Sequence, residues 1–296
     1  MATHRDRETP EKTLGTGALG AAVAAPAESA PPPSPAEIAV ATTRPAPARR
    51  LLNALVRVKR DRIDRGLRAA RFVAGLEPTR APRVFCIAIQ RTGTTSLGRF
   101  CADRLGLAVC EFDRAIANDW PRLWLAGTHE RIFAAPDFRA AEVFVDDPWW
   151  YPRAYEHLAP RFPDALFVLT IRDEDAWFRS LFAHSGGRSP GHTDVHAAVW
   201  GREAEFEALV ARAGSRRRVN WQGLALEGLA EHYKTRYRRH AEDARAWFAA
   251  NSPGRLLELR LEDTGKFGLL ACRLGFPEAD YADVHVNAIA GRTEVP

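Results

Sequence analysis

Short, almost wholly apolar runs alternate along the chain with longer segments whose apolar residues recur every three or four positions. The first pattern is typical of buried strands and the second of amphipathic helices. The apolar runs predict strands at residues 84–89, 108–112, 142–148, 165–171 and 255–261. The helical spacing predicts helices at residues 97–105, 118–133, 152–158, 172–182, 195–212, 226–249 and 266–274. Because strands joined through helices form parallel sheets with both faces covered, the pattern predicts an α/β fold, three αβα layers around a central parallel sheet.

The N-terminal part of the chain lacks this alternation. Residues 1–48 are rich in Ala, Pro, Thr and Ser and contain few large apolar side chains, so we expect a disordered segment. Residues 49–78 predict a basic amphipathic helix. The α/β domain is expected over residues 82–296. Within it, the Gly-, His- and Arg-rich stretch 185–221 is expected to be a variable insertion that is mobile or faces the substrate.

The charge of the chain is unevenly distributed. The 296 residues carry a net charge of +5. Residues 49–83 alone hold eleven Arg or Lys and three acids, a net charge of +8, which leaves −3 for the rest. The basic character therefore belongs to one predicted helix, and we expect no nucleic-acid partner. That helix either packs on the domain with a solvated basic face or, as an alternative, contacts an anionic membrane surface through residues 49–73.

Neither a membrane span nor a secretory signal is predicted. No run approaches the ~20 apolar residues that cross a bilayer, and the N-terminus has no continuous apolar stretch before a cleavage site. The four cysteines show no Cys-x-x-Cys spacing, and two of them fall in apolar patterns, which favours reduced, buried thiols. We therefore expect a cytoplasmic protein, peripheral to a membrane if the basic helix binds lipid. The sequence does not indicate an oligomeric state.

A small, hydroxyl-rich turn, residues 90–97, joins the first predicted strand to the helix that follows it. The free N–H groups of a helix N-terminus and the helix dipole together favour a bound anion. The turn keeps the spacing of the phosphate-binding loop Gly-x-x-x-x-Gly-Lys-[Ser/Thr], but Ala88 replaces the first Gly and Thr94 replaces the Lys. Arg91 supplies a cation inside the loop instead. This P-loop-like strand, loop and helix therefore predict an anion site, with a kinase or nucleoside triphosphatase as the weaker alternative.

The same loop, Gln90-Arg-Thr-Gly-Thr-Thr-Ser-Leu97, resembles the 5′-phosphosulfate loop of sulfotransferases that use 3′-phosphoadenosine 5′-phosphosulfate. The second hallmark of that family is a strand that ends in Arg, followed eight residues later by a helical Ser. Arg172 and Ser180 match this pattern, about 80 residues after the loop. An Arg at a strand end presents a planar fork that suits a phosphate. The resemblance extends, with less specificity, over residues 83–287, although the Phe-Pro of the family's closing segment is absent from residues 283–287.

The resemblance implies the fold and the activity of a bacterial-type sulfotransferase. It implies in-line transfer of a sulfuryl group from that donor, a co-substrate, to an acceptor hydroxyl. The acceptor would be a small molecule, a glycan or a lipid, and no metal would be needed. The donor-binding residues that it implies are Arg91, Thr92, Gly93, Thr94, Thr95, Ser96, Arg172 and Ser180. Arg91 would also be catalytic, because it would neutralise the charge that develops on the leaving phosphate.

An acceptor hydroxyl needs a general base. Asp147 is the first candidate, because it ends a strand that lies between the two donor motifs and because ligands of open α/β sheets bind at the carboxyl ends of strands. In similar bacterial sulfotransferases an Asp-x-Pro or Asp-Pro element occupies this place, which favours Asp147, before Pro148, over Asp146. The alternative bases are His157, His184 and His192.

Two further hypotheses remain open at this point. The aromatic run Trp149-Trp150-Tyr151 beside the carboxylates is either a stacking surface for the acceptor or part of the core. The whole chain is either an enzyme or a non-catalytic module of the same fold that binds a membrane or a partner through its basic helix. The sequence does not identify the acceptor.

Overall fold

The structure is a computed structural model, and it describes residues 67, 70, 74, 75, 79–277, 279 and 281–284. The segment predicted to be disordered, 1–48, lies outside these residues. So does most of the basic helix predicted at 49–78, of which Leu67 and Ala70 are described and helical. The end of the family-like closing segment, after residue 284, lies outside them as well.

Five parallel strands form one sheet within the described residues. They are β1 (Val84–Cys86), β2 (Val109–Cys110), β3 (Val143–Phe144), β4 (Leu166–Ile171) and β5 (Leu256–Arg260). Their order across the sheet is β2-β3-β1-β4-β5, so β1 lies between β3 and β4. Each strand falls within a run that the apolar pattern predicted, and helices flank the sheet. The three-layer α/β fold with a central parallel sheet is therefore confirmed.

Twelve helices connect the strands in the described part of the chain. They are α1 (Thr94–Asp103), α2 (Phe112–Ala117), α3 (Trp120–Leu125), α4 (His129–Phe133), α5 (Pro136–Arg139), α6 (Ala154–Arg161), α7 (Glu174–Ser185), α8 (Thr193–Trp200), α9 (Glu203–Ala213), α10 (Arg216–Val219), α11 (Ala230–Asn251) and α12 (Lys266–Arg273). Among the described residues, no helix combines the length and the apolar character that crossing a bilayer requires.

Two of the predicted helices are wrong in extent. The helix expected at 118–133 is two helices, α3 and α4, separated near Gly127, which has a φ of 69°. The helix expected at 195–212 is α8 and α9, separated at Gly201, which caps α8 with a φ of 66°. A left-handed residue ends a helix, and glycine adopts that conformation without a steric penalty.

Aromatic side chains fill one face of the sheet. Phe85 on β1 is in register with Phe144 and Phe167 on the neighbouring strands, and its ring centroid lies 4.9 and 5.6 Å from theirs. Phe248 of α11 covers Phe167 at 4.9 Å, and Trp149 covers Phe85 at 5.5 Å. All five rings are buried. Since aromatic burial is a large apolar contribution, this stack holds β3, β1 and β4 side by side and their carboxyl ends together.

The opposite face carries α1, which approaches the sheet closely because of Gly98. A Cβ at Gly98 would lie 3.4 Å from the side chains of Val109 and Val145, so the helix already sits at contact distance. Phe100 of the same helix stacks on Phe267 of α12, with ring centroids 4.9 Å apart. The N-terminus of α1 is thereby fixed at the carboxyl edge of the sheet.

Arg255 links the beginning of β5 to the turn that follows α6. Its guanidinium donates to the carbonyl oxygens of Ala159, Phe162 and Ala165 over 2.5–3.1 Å. Carbonyl groups at a helix C-terminus have no partner within the helix, so this side chain satisfies acceptors that would otherwise lose their hydrogen bonds on folding.

Replacing Arg255 by Met should lower the free energy of unfolding by about 1.5–3 kcal/mol, because Met keeps an apolar stem but removes the hydrogen bonds to these carbonyl groups. The carbonyl of Phe162 keeps one bond, from the backbone N–H of Ala165. Urea unfolding followed by circular dichroism measures the loss. Arg260→Met, an exposed position at the other end of β5, is the control and should change stability by less than ~0.5 kcal/mol. Equal losses in the two variants would contradict this role of Arg255.

Candidate functional site

The carboxyl ends of β3, β1 and β4 are neighbours, and each carries an element that the sequence predicts to be functional. The loop at residues 90–96 follows β1, Asp146 and Asp147 follow β3, and Arg172 follows β4. Ser180 lies in α7, the helix that begins just after Arg172. The structure thus places the predicted donor-binding and catalytic residues along one edge of the sheet.

Two left-handed residues shape the loop after β1. Gly93 caps α1 with a φ of 95°, and a Cβ there would lie 2.6 Å from Cδ1 of Leu261. The left-handed conformation therefore favours glycine, and any larger residue would also have to displace the end of the Leu261 side chain. Arg91 has a φ of 71°, a conformation that costs free energy in any residue with a side chain. The loop turns from β1 into α1 within a few residues and leaves a helix N-terminus, the backbone element that binds anions, at the edge of the sheet.

Thr92 points into the protein. Its side chain is fully buried, donates a hydrogen bond to the carbonyl oxygen of Ile89 at 2.7 Å and shares another with the hydroxyl of Thr170 at 2.9 Å. The Thr92 side chain therefore ties the loop to β4. Any contact of this residue with an anion would have to come from its backbone N–H, and such a contact stays a prediction.

The hydroxyl of Thr94 is also engaged by the protein, because it donates to Oδ1 of Asp146 at 2.5 Å. Thr95 lines the cavity beside the loop. Ser96 is buried in the first turn of α1. Thr94 lines the same cavity, so of these three residues Thr94 and Thr95 border open space, and the Thr94 hydroxyl is already bonded to Asp146.

The two predicted cationic ligands, Arg91 and Arg172, lie next to each other. Arg91 Nε donates to the Ser180 hydroxyl at 3.3 Å, and an Nη of Arg172 donates a long hydrogen bond of 3.4 Å to the carbonyl oxygen of Arg91. The Arg172 Nε is buried and has no hydrogen-bond partner among the described residues. Burial and the charge of Arg172 lower the pKa of Arg91. Adjacent, partly desolvated guanidinium groups with an unused donor fit a ligand that carries negative charge.

Three side chains that the sequence did not single out hold these groups in place. The Tyr237 hydroxyl accepts from the backbone N–H of Arg172 at 2.9 Å and donates to the carbonyl oxygen of the same residue at 3.2 Å. Trp177 Nε1 donates to the carbonyl oxygen of Gln90 at 2.9 Å, and His240 Nε2 donates to that of Ile87 at 2.7 Å. Each bond joins a helix to a backbone atom of a strand end or loop, a long-range contact that no local motif announces.

The two carboxylates after β3 differ in their surroundings. Burial, and then the neighbouring charge of Asp146, raise the pKa of Asp147 from 3.8 to about 7, although Trp150 Nε1 donates to Asp147 Oδ1 at 2.7 Å. Burial also raises the pKa of Asp146, but the hydrogen bond from Thr94 opposes that shift. Asp147 can therefore gain or lose a proton near neutral pH, as a general base requires, while Asp146 is tied to the loop.

A cavity of about 270 Å³ opens beside Asp147. Residues 190–200, from the stretch predicted to be an insertion, form much of its wall. The residues of the lining that bear on chemistry are Arg91, Thr95, Asp147, Trp150, Tyr151, His184, His192, His196 and Trp200. The insertion therefore faces the candidate site, and its mobility stays a prediction. A larger cavity, of about 480 Å³, lies behind Trp150 and Trp200 and includes none of the predicted site residues in its lining.

The alternative bases separate by position. His184 and His192 line the cavity, and burial lowers the pKa of both. His157 packs instead against His129, with ring centroids 4.8 Å apart. His196, which the sequence did not indicate, is hydrogen-bonded to the Tyr233 hydroxyl at 2.7 Å, and burial lowers its pKa to about 3.

The aromatic run after the carboxylates, Trp149-Trp150-Tyr151, is buried, and its last two residues also line the cavity. The run therefore belongs both to the core and to the wall of the site.

Comparison with known proteins points to one family. A family model described as a sulfotransferase domain matches residues 83–288. No curated protein matches the chain. Among solved structures, a sulfotransferase from Alicyclobacillus acidocaldarius is similar with a TM-score of 0.42 and 13% sequence identity, over 71% of this chain and 87% of that one. This structural likeness is too distant to support any statement about the site.

Asp147→Asn should raise the melting temperature at pH 8 and raise it by less than half as much at pH 5. The folded protein keeps the Asp147 proton up to about pH 7, whereas an ordinary carboxyl loses it near 3.8. Between these values the folded state binds more protons, so this group's contribution to stability falls as pH rises, and Asn removes that loss. Differential scanning fluorimetry from pH 5 to 8 measures it. Asp164→Asn, at an exposed acid, is the control, and a lower melting temperature for Asp147→Asn at pH 8 would contradict the raised pKa.

Proposed function

Since the chain belongs to the sulfotransferase domain family, we propose that it transfers a sulfuryl group from 3′-phosphoadenosine 5′-phosphosulfate to a hydroxyl group of an acceptor held beside Asp147. The observation that carries this proposal is the convergence of Arg91, Ser180 and Arg172 at the end of one loop. A donor with two separate phosphate groups needs two cationic positions. Arg91 and Arg172, which lie close together, would provide them.

Each part of the site has a matching part in the donor. Arg172, with its unused Nε, and Ser180 would hold the 3′-phosphate, because a guanidinium and a hydroxyl both donate to phosphate oxygens. The N-terminus of α1 and the hydroxyl of Thr95 would hold the 5′-phosphate. Arg91 lines the same cavity as Asp147 and would contact the sulfuryl group at the end of the donor that faces this cavity.

The donor supplies an activated sulfuryl group, whose bond to the bridging oxygen of the 5′-phosphate breaks as the bond to the acceptor oxygen forms. Arg91 would stabilise the negative charge that gathers on the leaving phosphate, as a cation fixed in advance does without reorganisation. Its left-handed backbone and its contact with Ser180 keep the guanidinium in position.

Asp147 would accept the proton that leaves the acceptor hydroxyl. Its pKa of about 7 means that the carboxylate is available near neutral pH and is a stronger base than an ordinary one. Asp146 is less suited, because the hydrogen bond from Thr94 and the charge of Arg91 both oppose the rise of its pKa, whereas the charge of Asp146 adds to the rise for Asp147. His184 and His192, whose lowered pKa values keep them neutral, are the second candidates for this role.

The kinase alternative has less support. The position of the phosphate-binding Lys is occupied by Thr94, and its hydroxyl is bonded to Asp146 rather than directed at a ligand. A nucleoside triphosphate also lacks the 3′-phosphate for which Arg172 and Ser180 would be needed.

We further propose a cytoplasmic location, with residues 49–73 as the segment that would contact an anionic membrane if the acceptor is presented there. A non-catalytic module that binds a partner would not require a carboxyl group with a raised pKa, such as that of Asp147.

Arg172→Ala and Ser180→Ala should weaken binding of 3′-phosphoadenosine 5′-phosphate, by about a hundredfold and about tenfold, because each removes hydrogen bonds to a charged group. Isothermal titration calorimetry measures both. Arg179→Ala, an exposed cation next to Ser180 on the same helix, is the matched control and should bind like the wild type. Undiminished binding by Arg172→Ala would rule out this donor site.

The rate of sulfuryl transfer, as kcat/KM, should rise with pH through about 7 and then level off, because the free enzyme must hold Asp147 as the carboxylate. Asp147→Asn should lower kcat by about 10²–10⁴-fold and abolish that pH dependence while leaving calorimetric binding of the donor product intact. Near wild-type turnover by this variant would assign the base to His184 or His192, and the corresponding alanine variants would then distinguish the two.

A further inference from the structure

Three buried polar side-chain atoms in the cavity wall have no hydrogen-bond partner among the described residues. They are the Tyr151 hydroxyl, Nδ1 of His192 and Nε1 of Trp200. The Tyr151 and Trp200 side chains are 1% and 2% exposed. The Tyr151 hydroxyl lies close enough to Asp147 to lower the pKa of that carboxyl by hydrogen bonding, but the two groups are not aligned as a hydrogen bond in the free protein. Because buried polar atoms are almost always paired in native proteins, three of them around one cavity point to a polar ligand.

Water can pair these atoms in the free protein, and a ligand then has to replace that water. A ligand that displaces water without reproducing its hydrogen bonds loses affinity, because buried donors and acceptors are left unpaired. An apolar acceptor has only one hydroxyl, and that hydroxyl is directed at Asp147. Such an acceptor would leave all three atoms without a hydrogen-bond partner. The cavity therefore discriminates against such acceptors.

The hydrogen-bonding capacity of the three atoms restricts the class of ligand further. An indole N–H only donates, so Trp200 needs an oxygen or nitrogen acceptor on the ligand, whereas a phenol and a neutral imidazole can each donate or accept. Alcohol hydroxyls do both and can pair with all three. Several hydroxyl groups on one small framework therefore match the wall.

The shape of the cavity agrees with a ring of modest size. The rings of Trp150 and Trp200 lie 5.8 Å apart in the cavity wall, and the indole N–H of Trp150 is taken by Asp147, so this ring can contribute only apolar contact to a ligand. Aromatic faces pack well against the C–H groups of a saturated ring. The cavity has a volume of about 270 Å³ and shares its lining with Arg91 and Thr95 of the loop, so the space beside Asp147 suits one ring with its substituents.

We propose that the acceptor is a compact polyhydroxylated ring, a sugar or a cyclitol, that places one hydroxyl at Asp147 and others at Tyr151, His192 and Trp200. This inference rests on the proposed function for the reacting hydroxyl, while its structural basis, the three unpaired atoms, is independent of the donor site. Tyr151, His192 and Trp200 act as binding residues that set acceptor specificity.

The first test compares two buried tyrosines. Tyr151→Phe removes a hydroxyl without a protein partner, so the melting temperature should stay the same or rise. Tyr233→Phe, the control, removes a hydroxyl that pairs with His196 and Arg202 at 2.7 and 2.8 Å, and the melting temperature should fall by roughly 3–6 °C. Scanning fluorimetry measures both. An equal fall for Tyr151→Phe would show that its hydroxyl has an internal partner and would overturn the inference.

The second test uses ligands matched in ring size. A panel of inositols and hexoses should bind the full chain, saturated with 3′-phosphoadenosine 5′-phosphate, at least about tenfold more tightly than cyclohexanol, which has the same ring size and one hydroxyl. Tyr151→Phe and His192→Phe should each weaken polyol binding about five- to tenfold and leave cyclohexanol binding unchanged. Calorimetry at a pH well above 7, where Asp147 is ionised, keeps the base in one state.

Tighter binding of cyclohexanol than of every polyol, or polyol binding that neither variant weakens, would overturn the inference. So would the absence of polyol binding to the wild type. Failure of the donor site has a different signature, since the nucleotide alone would not bind while the polyols still would. The two proposals can therefore fail separately.

Discussion

Two guanidinium groups, those of Arg91 and Arg172, are held next to each other at the carboxyl edge of the sheet, and the organisation of the site depends on this pair. Burial, and then the like charge of Arg172, lower the pKa of Arg91. The arrangement persists because Ser180, Tyr237 and the backbone of the loop bind these residues from several sides. An anion relieves the repulsion, so the folded protein is prepared for a negatively charged ligand before it meets one.

The parallel sheet makes this pairing possible. The order of the strands puts β1 between β3 and β4, and the buried stack around Phe85 holds the three together, so one edge collects the loop, a pair of carboxylates and Arg172. The same edge also concentrates unfavourable features. Arg91 is left-handed, and burial disfavours the charged form of Asp147. Such features are typical of functional sites, where strain and desolvation are maintained by the surrounding fold.

The sequence alone was enough to predict the fold and to single out the loop, Arg172 and Ser180, because both depend on local patterns, while donor binding by these residues stays a prediction. Each strand lay within an apolar run, and the loop, Arg172 and Ser180 were recognisable by spacing. The remaining features depend on contacts distant in sequence. Thr92 has the same residue type as Thr95, yet the first bonds Thr170 inside the protein and the second lines the cavity. Tyr237, Trp177 and His240 support the site through single long-range bonds, and the wall around Trp200 comes from a stretch without a recognisable pattern.

A comparison of two nucleotides that differ only at the 3′-phosphate shows whether the site binds a 3′-phosphate as well as a 5′-anion. Calorimetric titration of the wild type with 3′-phosphoadenosine 5′-phosphate and with adenosine 5′-monophosphate isolates the contribution of the 3′-phosphate. We expect 3′-phosphoadenosine 5′-phosphate to bind about a hundredfold more tightly, because only its 3′-phosphate can pair with Arg172 and Ser180. Equal affinities, or tighter binding of ATP with Mg²⁺, would contradict it.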